Sequence, residues 1–339
     1  MTIACDGIAI PMDTLKDFPQ AKTDRLNTLQ AAVAGDWLKY HNTIPVVLYH
    51  YTTAEGLIGI FDSLSMWMTN LRYMNDLSEL QYARDVIAKV INAKSREYTS
   101  NPVQIEFFRR IQQTFSPFEG SLAVFATCFC ENGNLLSQWR AYGGKGGGYA
   151  IGFDFFHLLR FLSRRCFLRK VIYDNTEQKR IIADVIDSVC GLLGELTTGQ
   201  EIKDADSDNT LPQFCLFTNN LLGEYIFSFK HPEFVEEKEW RLVFVCNCNP
   251  VLDRESDFSG LRFRTFGGNV IPFHEVSFAN AIRASIQDDY GLAFPIREVV
   301  VGPTVNPQLN KQSVATLLTK MNPDHFPTIL ESGIPLRWL

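Results

Sequence analysis

The stretch Lys230-His231-Pro232-Glu233-Phe234-Val235-Glu236-Glu237-Lys238-Glu239-Trp240-Arg241-Leu242-Val243-Phe244-Val245 decides how the chain is read. From Trp240 onward it is apolar and β-branched, the pattern of a buried strand. Just before that strand stand four carboxylates, Glu233, Glu236, Glu237 and Glu239. Acids at the mouth of a buried strand are costly unless they are paired or used. A regular pleat predicts Glu237, Glu239 and Arg241 on one face, with Lys238 and Trp240 on the other and Trp240 in the core. Two expectations follow. Either the close carboxylates raise one another's pKa and do proton chemistry, or the alternating charges form a salt-bridge ladder along an edge strand.

Two more polar signatures sit at element edges: Tyr49-His50-Tyr51-Thr52-Thr53, and Ser137-Gln138-Trp139-Arg140-Ala141-Tyr142 running into Gly143–Gly148. His50 reads either as a site residue or as a buried histidine bonded to a carbonyl. Arg140 reads either as a phosphate contact or as the partner of an acid. The glycine-rich loop holds Lys145, but no Gly-Lys-Ser/Thr follows and the next element reads as a strand, so a P-loop is rejected and a plain turn or a lid is expected. Cys128, Cys130, Cys246 and Cys248 could form a four-thiolate zinc site if their strands were neighbours. Zinc knuckles usually sit on turns as Cys-x2-Cys, so small buried residues are the stronger expectation.

Outward from these patches, the chain has the composition of a globular protein: 339 residues, 46% apolar, 12% aromatic and 21% charged. A net charge of −6 argues against a dedicated nucleic-acid surface or an anionic-membrane surface. No apolar run approaches the roughly 18 residues of a membrane span, so no membrane partner is expected. The first residues lack the basic start and apolar run of a secretory signal. Eight scattered cysteines fit a reducing, cytoplasmic setting.

Apolar periodicity predicts helices over about 18–40, 77–98, 103–115, 135–142, 177–195, 211–229 and 306–321. Strands are predicted over about 45–51, 65–70, 122–130, 149–154, 169–173, 240–248, 258–266, 269–272 and 298–302. Asn75 or Asp76 would cap the second long helix, with Glu79 in its first turn. The segment 197–210, with Asp204, Asp206 and Asp208, reads as a loop. Helices in blocks and no regular β-α-β repeat make the chain α+β. Residues 1–44 are expected to be an N-terminal helical extension and 45–339 a single α+β domain.

The order His50-Tyr51-Thr52, Trp67-Met68-Thr69, Asn75-Asp76, Cys128-Phe129-Cys130, Ser137 to Tyr142, Gly148 to Asp154, Glu237 to Arg241 and Val299-Val300-Val301-Gly302-Pro303 resembles a bacterial domain-of-unknown-function family, number 2971, over roughly 45–320. A weaker resemblance is to ADP-ribosyltransferases of the diphtheria-toxin type, with their first-strand His, a later aromatic and a Glu opening a late strand. It implies split mixed or antiparallel sheets with helical insertions. It also implies NAD as substrate, ADP-ribose transfer to a macromolecular acceptor, and a toxin or phage-defence role.

Residue by residue, the resemblance makes Glu239 the carboxylate that stabilises the oxocarbenium-like ribose, and Glu237 the group that orients or deprotonates the acceptor. His50, Tyr51 and Thr52 would hold NAD, Trp67 or Tyr73 would stack on nicotinamide, and Arg140 and Tyr142 would line the cofactor site. Two other classes stay open. One is a non-catalytic sensing or interaction protein that keeps the fold. The other is a metal-dependent nuclease using Pro232-Glu233 and Glu236-Glu237-Lys238.

Overall fold

The computed structural model describes residues 20–39, 44–74, 77–115, 122–144, 147–160, 166–247, 260–278, 295–321 and 327–335. Along the chain these form α1 (Gln20–Lys39), β1 (Val47–Thr52), α2 (Ala54–Ser63), β2 (Ser65–Asn70), α3 (Leu77–Lys94), α4 (Pro102–Thr114), β3 (Leu122–Cys130) and α5 (Leu136–Tyr142). There follow β4 (Tyr149–Asp154), α6 (Phe155–Arg160), β5 (Cys166–Lys170), α7 (Asn175–Leu196), α8 (Ile202–Ser207) and α9 (Thr210–Ile226). The last are β6 (Glu239–Asn247), β7 (Leu261–Phe266), β8 (Asn269–Ser277), β9 (Ile296–Val301), α10 (Pro307–Met321) and β10 (Thr328–Glu331). Helices and one large mixed sheet together match the α+β expectation at that level.

Ten strands share the sheet. All its ladders are antiparallel except β9–β10. β6 lies inside it, with β3 along one side and β5 along the other. That corrects the edge-strand ladder: the acids precede an interior strand.

On its other side β3 divides its length between two partners. β1 meets it at Tyr49↔Cys130, and β2 at Thr69↔Ala126 and Asn70↔Phe125. The sheet therefore forks at Thr127–Phe129. One branch runs β1–β4–β9–β10 and the other β2–β8–β7.

Side-chain alternation sorts the two faces. On one, Leu48, Met66, Met68, Phe129, Phe153, Trp240 and Leu242 form an apolar core closed by Phe61 of α2, Leu158 of α6 and Leu318 of α10. Phe153 and Phe278, one from each branch, meet there with ring centroids 5.8 Å apart. On the opposite face, Val124, Ala126, Phe167 and Val243 pack with Phe227, beside a block built from α3, α4, α7, α8 and α9. Leu26 of α1 is buried in that block, and Lys22 bonds Asp208 at 2.9 Å.

The acidic segment expected as a loop contains α8. Its N-cap Glu201 and Asp204 close a capping box, and Asp206 forms a bidentate pair with Arg110 of α4. Paired and capped acids hold a turn that the composition alone reads as irregular. Asn75, Asp76 and Lys145 lie outside the described residues.

Candidate functional site

Glu239 opens β6, but Glu237 is not on that strand. His231 and Pro232 start a 3-10 helix, Pro232–Glu237, and Lys238 then takes a left-handed backbone with φ of 41°. The expected shared strand face for Glu237 and Glu239 is thereby corrected. The kink instead turns both carboxylates onto one ammonium. Lys230 Nζ lies 2.6 Å from Glu237, 3.0 Å from Glu239 and 2.8 Å from Glu79 at the start of α3. Arg241 completes the cluster, 2.7 Å from Glu239 Oε1 and 2.6 Å from Glu79 Oε2. Three carboxylates (Glu79, Glu237, Glu239) against two cations (Lys230, Arg241) leave one unbalanced negative charge.

The imbalance pushes the two glutamates apart. Burial would raise Glu239, but Arg241 and Lys230 outweigh it and hold the carboxyl down at about 2. Burial raises Glu237 above the ordinary glutamate range, only partly offset by Lys230. Glu239 is 4% exposed and both its oxygens are bonded to cations. It is not free to meet a developing charge, which corrects the role expected of it. Glu237 gives one oxygen to Lys230; the other has no partner among the described residues.

His50 and Glu239 are brought to the same residue from different sides. His50 Nδ1 lies 2.9 Å from the Cys128 carbonyl, inside the fork. A carbonyl only accepts, so Nδ1 carries the hydrogen and Nε2 keeps its lone pair. Burial lowers the imidazole pKa, so the ring is neutral. The Cys128 thiol bonds Glu239 on the helical-block face. By register, His50 belongs with Ile151, whose side chain is in the apolar core, while Glu239 points the other way with Cys130. The two side chains do not face each other, so they do not form the single NAD site that the transferase resemblance implies.

Tyr51 serves the fold, and Thr52 ends β1 opposite Tyr149. The Tyr51 hydroxyl donates to Asn132 O at 2.8 Å and accepts from Leu135 N at 2.9 Å, fixing the turn into α5. Its ring meets Trp139 edge-on at 4.7 Å. Thr53, not Thr52, caps α2. Arg140 is exposed and has no ion-pair partner among the described residues. Tyr142, 45% exposed, ends α5 beside the cluster; burial, then the nearby Cys128, Glu239 and Glu237, raises its phenol pKa. Trp67 and Tyr73, both about half exposed, belong to the other branch and the turn after it.

The described part of the glycine-rich turn is neither a phosphate loop nor a free lid. Gly302 N donates to Gly148 O, and a Cβ on Gly147 would press on Pro303 O. Nor does the described register bring Cys246 beside Cys128 and Cys130. Cys128 and Cys130 lie opposite Arg241 and Glu239, whereas Cys246 lies opposite Ala123, roughly 16 Å along the sheet. Cys248 and the Cys246 side chain lie outside the described residues. Among the described residues no group of three or more His, Cys, Asp or Glu could hold a metal ion, and the residues expected for a nuclease form a single 3-10 turn. Also among them, no helix is long and apolar enough to cross a membrane.

The sequence expectation missed Lys230 as a site residue, had Cys128 only as a candidate zinc ligand, and had Glu79 only in a helix's first turn. The available signal was Lys230, a lone cation just before four acids.

A family described as "Protein of unknown function (DUF2971)" matches residues 138–242, from the start of α5 into β6. Over that stretch the chain is similar to the family, and the stretch includes Tyr142, Lys230, Glu237, Glu239 and Arg241. No curated protein and no solved structure matches the chain.

Proposed function

We propose that the chain cleaves the nicotinamide–ribose bond of NAD and passes ADP-ribose to a macromolecular acceptor, with Glu237 as the working carboxylate. The observation that carries this is the glutamate pair sharing Lys230, with one pKa driven up and the other down. Such divergence separates a proton carrier from a permanent anion. Glu237, at the open margin of the cluster, takes the proton of the attacking acceptor. Glu239 stays ionised and fixes Arg241 and Lys230, and the net negative charge of the cluster favours an oxocarbenium-like ribose nearby.

Purified protein incubated with NAD and cell extract should release nicotinamide and label a macromolecule with ADP-ribose. Glu237→Gln should lower release by roughly a hundredfold or more with an unchanged thermal midpoint. No release by the wild-type protein, or full release by the variant, overturns the proposal.

The complete pairing of Glu239 favours a second reading, ligand binding without turnover. NAD binding seen by calorimetry, with no nicotinamide formed, would support that reading instead.

A further inference from the structure

Arg264 of β7 has a setting unlike that of Arg241 in the charged cluster. It faces the helical-block side of the second branch, where Nη2 donates to Thr69 Oγ1 at 3.0 Å. Its Nε is buried with no hydrogen-bond partner among the described residues, and no acid among them pairs with it. Glu275, which β8 puts on the same face opposite Trp67, accepts from Ser65 at 2.7 Å instead. Burial lowers the Arg264 pKa, with no anion to offset it. A half-buried guanidinium without a counter-charge is a net cost to the fold. Beside it stands the indole of Trp67, 46% exposed, its ring 5.9 Å from the guanidinium carbon and braced from below by Phe273 at 4.5 Å.

We propose that Arg264, Thr69 and Trp67 form a nucleotide site in which the guanidinium and hydroxyl take a phosphate and the indole stacks on the base. A planar fork with spare donors matches phosphate oxygens, and an exposed indole offers a π face to any base. The site stands on its own geometry and rests on the NAD reading only for the choice of adenine. Thr69 lies opposite Ala126 of β3, whose other neighbour is Val243 of β6, so the phosphate position is two strands from the Glu237–Glu239 cluster and on its face of the sheet.

ADP serves as the probe because it has no glycosidic bond to nicotinamide, so its binding is independent of any turnover. Titration of the full chain by calorimetry should show ADP binding that Arg264→Gln and Trp67→Ala each weaken roughly tenfold or more. Arg264→Lys should lose less, and Glu237→Gln should leave ADP binding unchanged. Without ligand, Arg264→Met should hold or raise the thermal midpoint, and ADP should raise the midpoint of the wild-type protein but not that of Arg264→Met. The proposal is overturned if ADP binds no better than adenosine, if Arg264→Gln binds ADP like the wild-type protein, or if Arg264→Met melts several degrees lower without ligand. Failure of nicotinamide release alongside intact ADP binding would count against the transferase reading and leave this site standing.

Discussion

Glu239 and Glu237 are two residues apart in sequence and differ in what their removal should cost. Among the described residues, Glu239 is the only carboxylate bonded twice by Arg241, through Nε and Nη2. Glu239→Gln removes the buried carboxylate that bonds both Arg241 and Lys230, and should cost about 3–5 kcal/mol, read as a lower urea midpoint at unchanged slope. Glu237, already destabilised in its charged form, should lose far less on conversion to glutamine. If the two variants unfold at the same urea concentration, the division of roles drawn between them is wrong.

At this scale half of the site was legible. Glu239 had to be paired or used because an apolar strand follows it directly, and Trp240 was expected in the core, where it is fully buried. Its partners were not legible. Glu79 comes from the start of a distant helix, and only the fold decides that α3 delivers it to Arg241. The kink at Lys238 was hidden too, because a lysine gives no sign of a left-handed backbone.

Elements with strong periodicity were readable in the chain, and those held by tertiary pairing were not. β3, over Leu122–Cys130, and β4, over Tyr149–Asp154, coincide with their apolar runs. β5 lies a few residues before the expected 169–173, because its ladder is set by Cys166↔Phe244 through Lys170↔Trp240. α6 gave no separate signal, being a single short stretch of Phe155–Arg160 directly after β4. α8 needed Arg110 and its capping box to exist.

The turn after α5 gives the test at this scale. Gly147 has φ of 97° and no room for a side chain against Pro303. Gly147→Ala therefore combines left-handed strain with a backbone clash and should cost about 1–3 kcal/mol, measured by thermal unfolding. Gly199, also left-handed at φ of 76° but with open space around it, should tolerate alanine better, losing only the conformational part.

For the whole molecule, the charged layer under the helical block sets the response to acid. Glu239, held at about 2, contributes stability above the ordinary glutamate range that is lost as pH falls through that range toward 2. The contribution is roughly 3 kcal/mol at neutral pH. Glu106, drawn down by Arg109 and Arg110, titrates in the same window. The acid-induced fall in the urea midpoint should thus be visibly smaller in Glu239→Gln but not absent. An equal fall in both proteins would mean that Glu239 does not titrate as described.

The pairing of early strands with late ones sets how the chain can be divided. β2 finds its partner at Ser65↔Ser277, and β4 lies between β1 and β9. A fragment cut at residues 138 and 242, the bounds of the family match, would carry β4 without β1 or β9 and the start of β6 without β3. Such a fragment would expose unpaired edges and lose Glu79 from its charged cluster. The unit that can be produced, mutated or grafted is the interlocked whole, and it must close long loops before its contacts are rewarded, which makes it a slow folder by topology.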